Sequence, residues 1–284
     1  MSVSIVTDSA ASLPADLAAR HDITVVPLSL TLGGISYHDG DLSLAELLSR
    51  LDEGVTTSAP SPGEVAKAVE ERLGDDGVLV LTIAGTMSGT FHAAHVASGL
   101  VDGPVRVLDT ETAAGAEGLV VLAAALSARD GASLDEVEAT ATNVRERVRL
   151  VATVDSLDHL VRSGRVPGIA GRAGRGLGLN PLFEFRRGYP RPLRPALSRQ
   201  AALDRMAGAL LHSRVPGARL HVAALHAGAP EPAERLLEQV RAEIGPATEF
   251  LGSFSPVMVV HTGPGLVGLA WWWDERPGPT GQGA

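Results

Sequence analysis

Through its first half the chain alternates short runs dense in Val, Ile and Leu with stretches of helical periodicity, and this alternation narrows the possible folds more than any other feature. The apolar runs fall at 3–7, 23–30, 78–83 and 105–108. Such dense runs suit strands covered on both faces. Helices are expected between them at 14–21, 43–52, 61–73 and 88–100. Ser43 with Glu46 and Ser61 with Glu64 have the form of capping boxes, and Pro62 takes the first helical position of the second. Strands alternating with helices in this way predict a parallel sheet with crossover connections.

The pattern then changes. Two helical stretches, 111–129 and 133–149, lead to a strand at 150–154 and to a segment at 163–178 that mixes glycines with Arg165, Arg172 and Arg175. A strand is expected at 181–186, followed by a Gly-Tyr-Pro turn and a helix near 199–212. A strand at 219–225, a helix at 231–244, a strand ending at His261 and a last strand at 266–273 complete the reading. That last strand ends in Trp271, Trp272 and Trp273, with at least one ring expected to pack inward. The change near residue 150 divides the chain into an expected parallel-sheet α/β domain at 1–150 and a mixed α/β domain at 151–284.

Composition excludes several function classes. The chain of 284 residues has no cysteine, so disulfides, Cys-ligated zinc and thiol catalysis are absent. A net charge of -9 argues against general nucleic-acid binding, which needs a basic surface. No apolar run reaches the roughly 18 residues that a membrane-spanning helix needs. The start MSVSIVTDSA lacks the basic region and long apolar core of a signal peptide, and a cytoplasmic location is expected. Aromatic residues make up only 4% of the chain, so the core must be built mainly from Val, Leu, Ile and Ala.

Four loop clusters carry the candidate chemistry. Ser88-Gly89-Thr90 stands between a buried strand and a helix, where hydroxyls and free backbone N–H groups favour an anion. Ser88 is equally suited to capping that helix. Thr57 and Ser58 lie in an extended lead-in, because Pro60 disfavours helix at Ala59. Asp8 and Ser9 follow the first strand directly, again at a carboxyl end where α/β sheets bind ligands. His261-Thr262-Gly263-Pro264-Gly265 forms a glycine-flanked turn that lets backbone approach a ligand closely. There is no P-loop, and Gly85-Thr86-Met87-Ser88-Gly89 departs from the G-x-S-x-G spacing of a nucleophile elbow. His92 and His95 lie i, i+3 on one helix but have no H-E-x-x-H around them, and no metal site is read there.

Taken in order, these segments resemble the DegV family of bacterial fatty-acid-binding proteins. The resemblance runs from Thr7-Asp8-Ser9 through Leu13-Pro14, Val26-Pro27-Leu28 and Tyr37-His38-Asp39-Gly40 to Thr57-Ser58-Ala59-Pro60-Ser61. It continues through Met87-Ser88-Gly89-Thr90, Ser163-Gly164-Arg165, Leu179-Asn180-Pro181 and His261-Thr262-Gly263-Pro264-Gly265. Ala84-Gly85 and Ala59 depart from the serines and the glutamine that many members carry there.

The resemblance implies a DegV-like two-domain α/β fold with one long-chain fatty acid, of the palmitate or oleate type (C14–C18), held between the domains. It implies that Thr57 and Ser88 hydrogen-bond the carboxylate, with Ser58, Gly89 and His261 close by and Asp8, Ser9, Thr90 and Thr262 as pocket neighbours. It places a flap over the pocket at 163–178, and it implies a separate ATP-binding fatty acid kinase as partner, which suits the missing P-loop. Arg165, Arg172, Arg175 and Arg199 are the candidate docking residues for that kinase. No cofactor or metal is expected, and the protein is read as a carrier rather than an enzyme. One alternative stays open: a hydrolase or transferase with Ser88 as nucleophile, His261 within ~3 Å as base and Asp8 orienting the ring.

Overall fold

The computed structural model describes residues 2–165 and 179–275. The chain begins with β1 (Ser4–Asp8), α1 (Ala15–Arg20), β2 (Ile23–Val26), β3 (Ser29–Leu32), β4 (Ile35–His38) and α2 (Leu44–Ser49). There follow β5 (Thr56–Ser58), α3 (Pro62–Glu70), β6 (Val78–Thr82), α4 (Thr90–Ser98) and β7 (Val105–Asp109). Helices α5 (Ala114–Arg129) and α6 (Leu134–Arg147) lead to β8 (Arg149–Thr153), α7 (Asp158–Ser163), β9 (Asn180–Arg186) and β10 (Tyr189–Ala196). The last elements are α8 (Arg199–His212), β11 (Arg219–His226), α9 (Glu231–Glu243), β12 (Thr248–Ser253), α10 (Pro256–Thr262) and β13 (Val267–Asp274).

The expected parallel sheet is present, in the order β2-β1-β6-β7. Its inner strand β6 is buried at every position, as a strand covered on both faces must be. The Ser61/Glu64 box closes in both directions at the start of α3, and the Ser43 hydroxyl accepts the Glu46 N–H at the start of α2. A second, six-stranded mixed sheet runs β10-β9-β8-β13-β11-β12. Helix α5 joins the two layers. Every residue from 114 to 125 is buried, and the helix packs on β1 and on β8, β11 and β13. A helix apolar all round has to be enclosed in this way. Gly115 makes the approach possible, since a Cβ there would fall 2.2 Å from Leu225 Cδ1.

Three expectations are corrected. The run 23–30 is not one strand: β2 joins the parallel sheet, while β3 pairs with β4 and β5 in a separate three-stranded antiparallel sheet. Pro27 has no N–H to give a ladder, so the chain changes sheets there. Tyr189-Pro190 belongs not to a turn but to the start of β10, paired with β9 through a turn at Arg187 and Gly188, both at positive φ. Pro190, Pro192 and Pro195 are tolerated in this strand because β10 is the sheet edge. Finally, no strand ends at His261. The strand before it is β12, and Ser255 then caps α10 by accepting the Met258 N–H, with Pro256 at the first helical position. A short apolar run such as 257–260 has no periodicity that separates a strand from a buried helical turn.

All three tryptophans of β13 are buried. Trp271 and Trp273 share a face, and both indole N–H groups donate to Ser213 Oγ, at 2.8 and 3.0 Å. Trp272 points the other way and stacks on His221 with ring centroids 4.4 Å apart.

Candidate functional site

Between the two main sheets lies a cavity of about 360 Å³, within the size range of small-molecule sites. Three distant chain segments bring polar groups to its wall. β5 supplies Thr57 and Ser58, the turn before α4 supplies Ser88 and Gly89, and the last turn of α10 supplies His261 and Thr262. They converge: a Cβ on Gly89 would touch that of Ala59, and the imidazole of His261 meets Thr57. Most of the remaining wall is apolar, with Leu150 from β8, Phe183 and Phe185 from β9, Phe254, and Met258 from α10. Three of the chain's five phenylalanines line this one cavity.

His261 Nε2 lies 2.8 Å from Thr57 Oγ1. Burial, assisted by the positive charge of Arg165, pushes the imidazole pKa down to about 4, so the ring is neutral at pH 7. If Nε2 carries the proton it donates to Thr57, leaving the threonine O–H free for an anion in the cavity. Ser88 does not cap α4: Gly89 takes that position without a side-chain bond. Instead the Ser88 hydroxyl pairs with Thr90 Oγ1 at 2.7 Å and accepts the Thr90 N–H at 3.3 Å. Thr90 is itself buried behind this pair and does not reach the cavity wall. Thr262 lines the cavity, with its hydroxyl turned back to Met258 O at 2.9 Å.

The turn after His261 needs its glycines. Gly263 and Gly265 both have positive φ, and a Cβ would fall 2.5 Å from His159 Cδ2 at the first and 1.9 Å from Asp155 Oδ2 at the second. Arg199 is committed to the same turn, donating to Gly265 O and to Asp155. It is therefore tied to the α10–β13 connection rather than displayed as a free docking cation. Arg165 borders the cavity, with its guanidinium donating to Ser163 O at 2.7 Å. Arg172 and Arg175, with most of the expected flap, lie outside the described residues.

Asp8 and Ser9 are not on the cavity wall; they border a neighbouring surface groove. Asp8 accepts the N–H groups of Ala10 and Ile83, both at 2.9 Å, and so ties β1 to the end of β6. Burial raises its pKa to about 7. Nearby Glu117 of α5 is pushed well above the usual range, by burial and then by the charge of Asp8. Ser9 acts through Asp39, a residue passed over in the sequence reading except within the Tyr37-His38-Asp39-Gly40 segment. The Ser9 hydroxyl donates to Asp39 Oδ2 at 2.7 Å, and Asp39 Oδ1 accepts the Val257 N–H at 3.0 Å. The start of α10, and with it His261, is thereby fastened to the end of β1. For the alternative of Ser88 nucleophile, His261 base and Asp8 orienter, the observed bonds run elsewhere: serine to Thr90, imidazole to Thr57, carboxylate to backbone N–H groups.

Comparison with known proteins agrees with this fold. The family model described as uncharacterised protein, DegV family, matches residues 2–273. A DegV domain-containing protein of Streptomyces coelicolor is 35% identical, covering 94% of this chain and 97% of its own. Among solved structures, one described as fatty acid binding of a DegV family protein from Thermus thermophilus superposes with a TM-score of 0.89. It has 30% identity and covers 96% of this chain and 100% of that one. DegV of Bacillus subtilis, described as a fatty acid binding protein, gives 0.86 with 27% identity, covering 96% and 100%. The architecture, the match along nearly the whole chain and the level of identity lead to one conclusion: this chain belongs to the DegV family.

Proposed function

We propose that this protein binds one long-chain fatty acid in the cavity between its two sheets, and that it does so as a carrier rather than an enzyme. The observation that carries this reading is the polar cluster of Thr57, Ser58, Ser88 and His261 on a cavity wall that is otherwise largely hydrocarbon. A carboxylate taken from water must be hydrogen-bonded, and hydroxyls with an N–H donor answer that need without a full counter-charge. Thr57 and Ser88 are assigned to the carboxylate, with Ser58, Gly89 and His261 beside it. Arg165 adds a positive field at the same wall.

The acyl chain then lies against Leu150, Phe183, Phe185 and Met258. Burying a C14–C18 chain at ~0.8 kcal/mol per CH₂ releases roughly 10 kcal/mol before ordering costs. Palmitate and oleate are the ligands of matching size. The boundary near residue 150, where β8 opens the six-stranded sheet, is taken as the division between the domains that enclose the ligand.

The sequence has no phosphate-binding loop, so activation of the bound carboxylate falls to a separate ATP-binding fatty acid kinase, to which this protein presents its cargo. Among the described residues no helix is long and apolar enough to cross a membrane. The carrier is assigned to the cytoplasm, where such a kinase has its ATP. Native mass spectrometry of the purified protein, followed by denaturation and extraction, tests the reading. One C14–C18 fatty acid per chain is expected. A protein that is empty and takes up neither oleate nor palmitate ends it.

A further inference from the structure

Phe254 stands between two spaces. On one side is the cavity of about 360 Å³, and on the other is the surface groove of about 450 Å³ bordered by Leu13, Val25, Leu42 and Leu44, with Ser9 and Asp39. Among the described residues Phe254 alone borders both. Its side chain is 3% exposed, so the ring fills the wall rather than hanging from it. Two features hold it there. Its backbone N–H donates to His226 O at 2.9 Å, at the end of β11. Its ring edge sits in a notch of β13 left by Gly268, where a Cβ would come within 2.9 Å of Phe254 Cζ. The same missing side chain faces Leu150 Cδ1 at 3.6 Å, and Leu150 is itself a wall residue of the cavity.

We infer that Phe254 is the partition that sets the longest acyl chain the cavity accepts. This rests on the fatty-acid reading above and adds to it the residue that limits ligand length. Protein interiors are close-packed, and a change of one methylene is felt at a well-filled wall. A ring wedged against the backbone of β13 has no room to retreat in that direction. A chain that reaches it must stop or displace it. Beyond the ring, Leu13, Leu42 and Leu44 offer a second apolar surface that longer chains reach only if the wall is removed. The ring of Phe254 has no polar atom to offer a carboxylate and packs at Gly268 of β13, so its effect is expected on chain length and not on head-group recognition.

The experiment is a displacement assay with saturated and cis-monounsaturated acids from C12 to C22, run on wild type, Phe254→Ala, Phe254→Leu and Phe254→Trp. Wild type is expected to show an upper limit of length. Alanine and leucine variants shift that limit upward and tryptophan shifts it downward, with relative affinities around the limit changing about tenfold per methylene. Phe254→Leu keeps an apolar wall and serves if the alanine variant does not fold. A profile that keeps its limit in the leucine and alanine variants while all affinities fall together overturns the partition and leaves the carrier reading standing. Wild type binding no acid in the series overturns the carrier reading instead. The ligand-free crystal structure of Phe254→Ala then decides the partition by itself: cavity and groove become continuous, whereas a wall closed by neighbouring side chains refutes it.

Discussion

Thr57 and His261, 204 residues apart in the chain, meet through a 2.8 Å hydrogen bond between Oγ1 and Nε2. The bond joins β5 of the small antiparallel sheet to the last turn of α10, and so ties an early strand to a late helix that forms part of the cavity wall. Each partner orients the other. The neutral imidazole decides whether the threonine hydroxyl is free to donate, and the threonine holds the ring toward the cavity.

Head-group variants should separate recognition from stability. Thr57→Ala and Ser88→Ala each remove one hydroxyl facing the proposed carboxylate, with a loss of about 1.5–3 kcal/mol in fatty-acid binding for a bond to a charged group. Isothermal titration with oleate measures this. Equal affinity in the double variant and wild type would exclude these hydroxyls from the site.

The pH dependence follows from opposing groups. His261 has a folded pKa of about 4, below the unfolded value of 6.5, so the unfolded chain binds more protons between those values. Its contribution is therefore present above pH 6.5 and lost as pH falls toward 4, at most about 3 kcal/mol. Asp8, raised to about 7, and Glu117, raised well above the usual carboxyl range, act the other way: their contribution is present at acid pH and lost as pH rises through the folded values. Thermal melts should show His261→Asn losing less stability than wild type between pH 6.5 and 4. Glu117→Gln should gain on wild type as pH rises above the usual carboxyl range. Parallel curves for all three proteins contradict both assignments.

Asp39 is expected to matter for α10 although it lies outside the cavity. Asp39→Ala leaves the Val257 N–H and the Ser9 hydroxyl without their acceptor, at a cost of about 1–3 kcal/mol each if both stay dry. Urea unfolding measures the loss. Faster amide exchange confined to 256–262 locates it, and unchanged exchange there would detach Asp39 from α10.

Ser213 offers a spectroscopic check on the six-stranded sheet. Its hydroxyl accepts from both Trp271 and Trp273, so Ser213→Ala strands two buried indole N–H groups. A loss of roughly 2 kcal/mol or more is expected, with a change in tryptophan emission. Ser213→Thr keeps the acceptor and should recover most of it. Indifference of both signals to the alanine change would mean that water reaches the two indoles.

Gly115→Ala tests how closely α5 lies on the mixed sheet. The new methyl falls 2.2 Å from Leu225 Cδ1, so the layers must part or Leu225 must move, a strain of about 1–3 kcal/mol. Helix propensity alone favours the alanine by up to about 1 kcal/mol. A net loss in chemical denaturation supports the close packing, and a net gain speaks against it.

The sequence by itself determined the elements whose signals are local. Apolar runs interrupted by capped helices specified the parallel sheet, because caps and periodicity act within a few residues. Ser61 with Glu64 is such a case. The order of short segments from Thr7 to Gly265 also sufficed to identify the family. What only the tertiary structure decided was where similar local patterns went. The apolar run at 23–30 was divided between two sheets at Pro27, and 256–262 became a helix rather than a strand, since so short a run suits either form. The meeting of Thr57 with His261, the fastening of α10 by Asp39, and the gathering of Phe183, Phe185 and Phe254 around one cavity have no local signature. They arise when α5 is enclosed between two sheets and the loops at their ends are brought together, and a contact across two hundred residues is set by that packing alone.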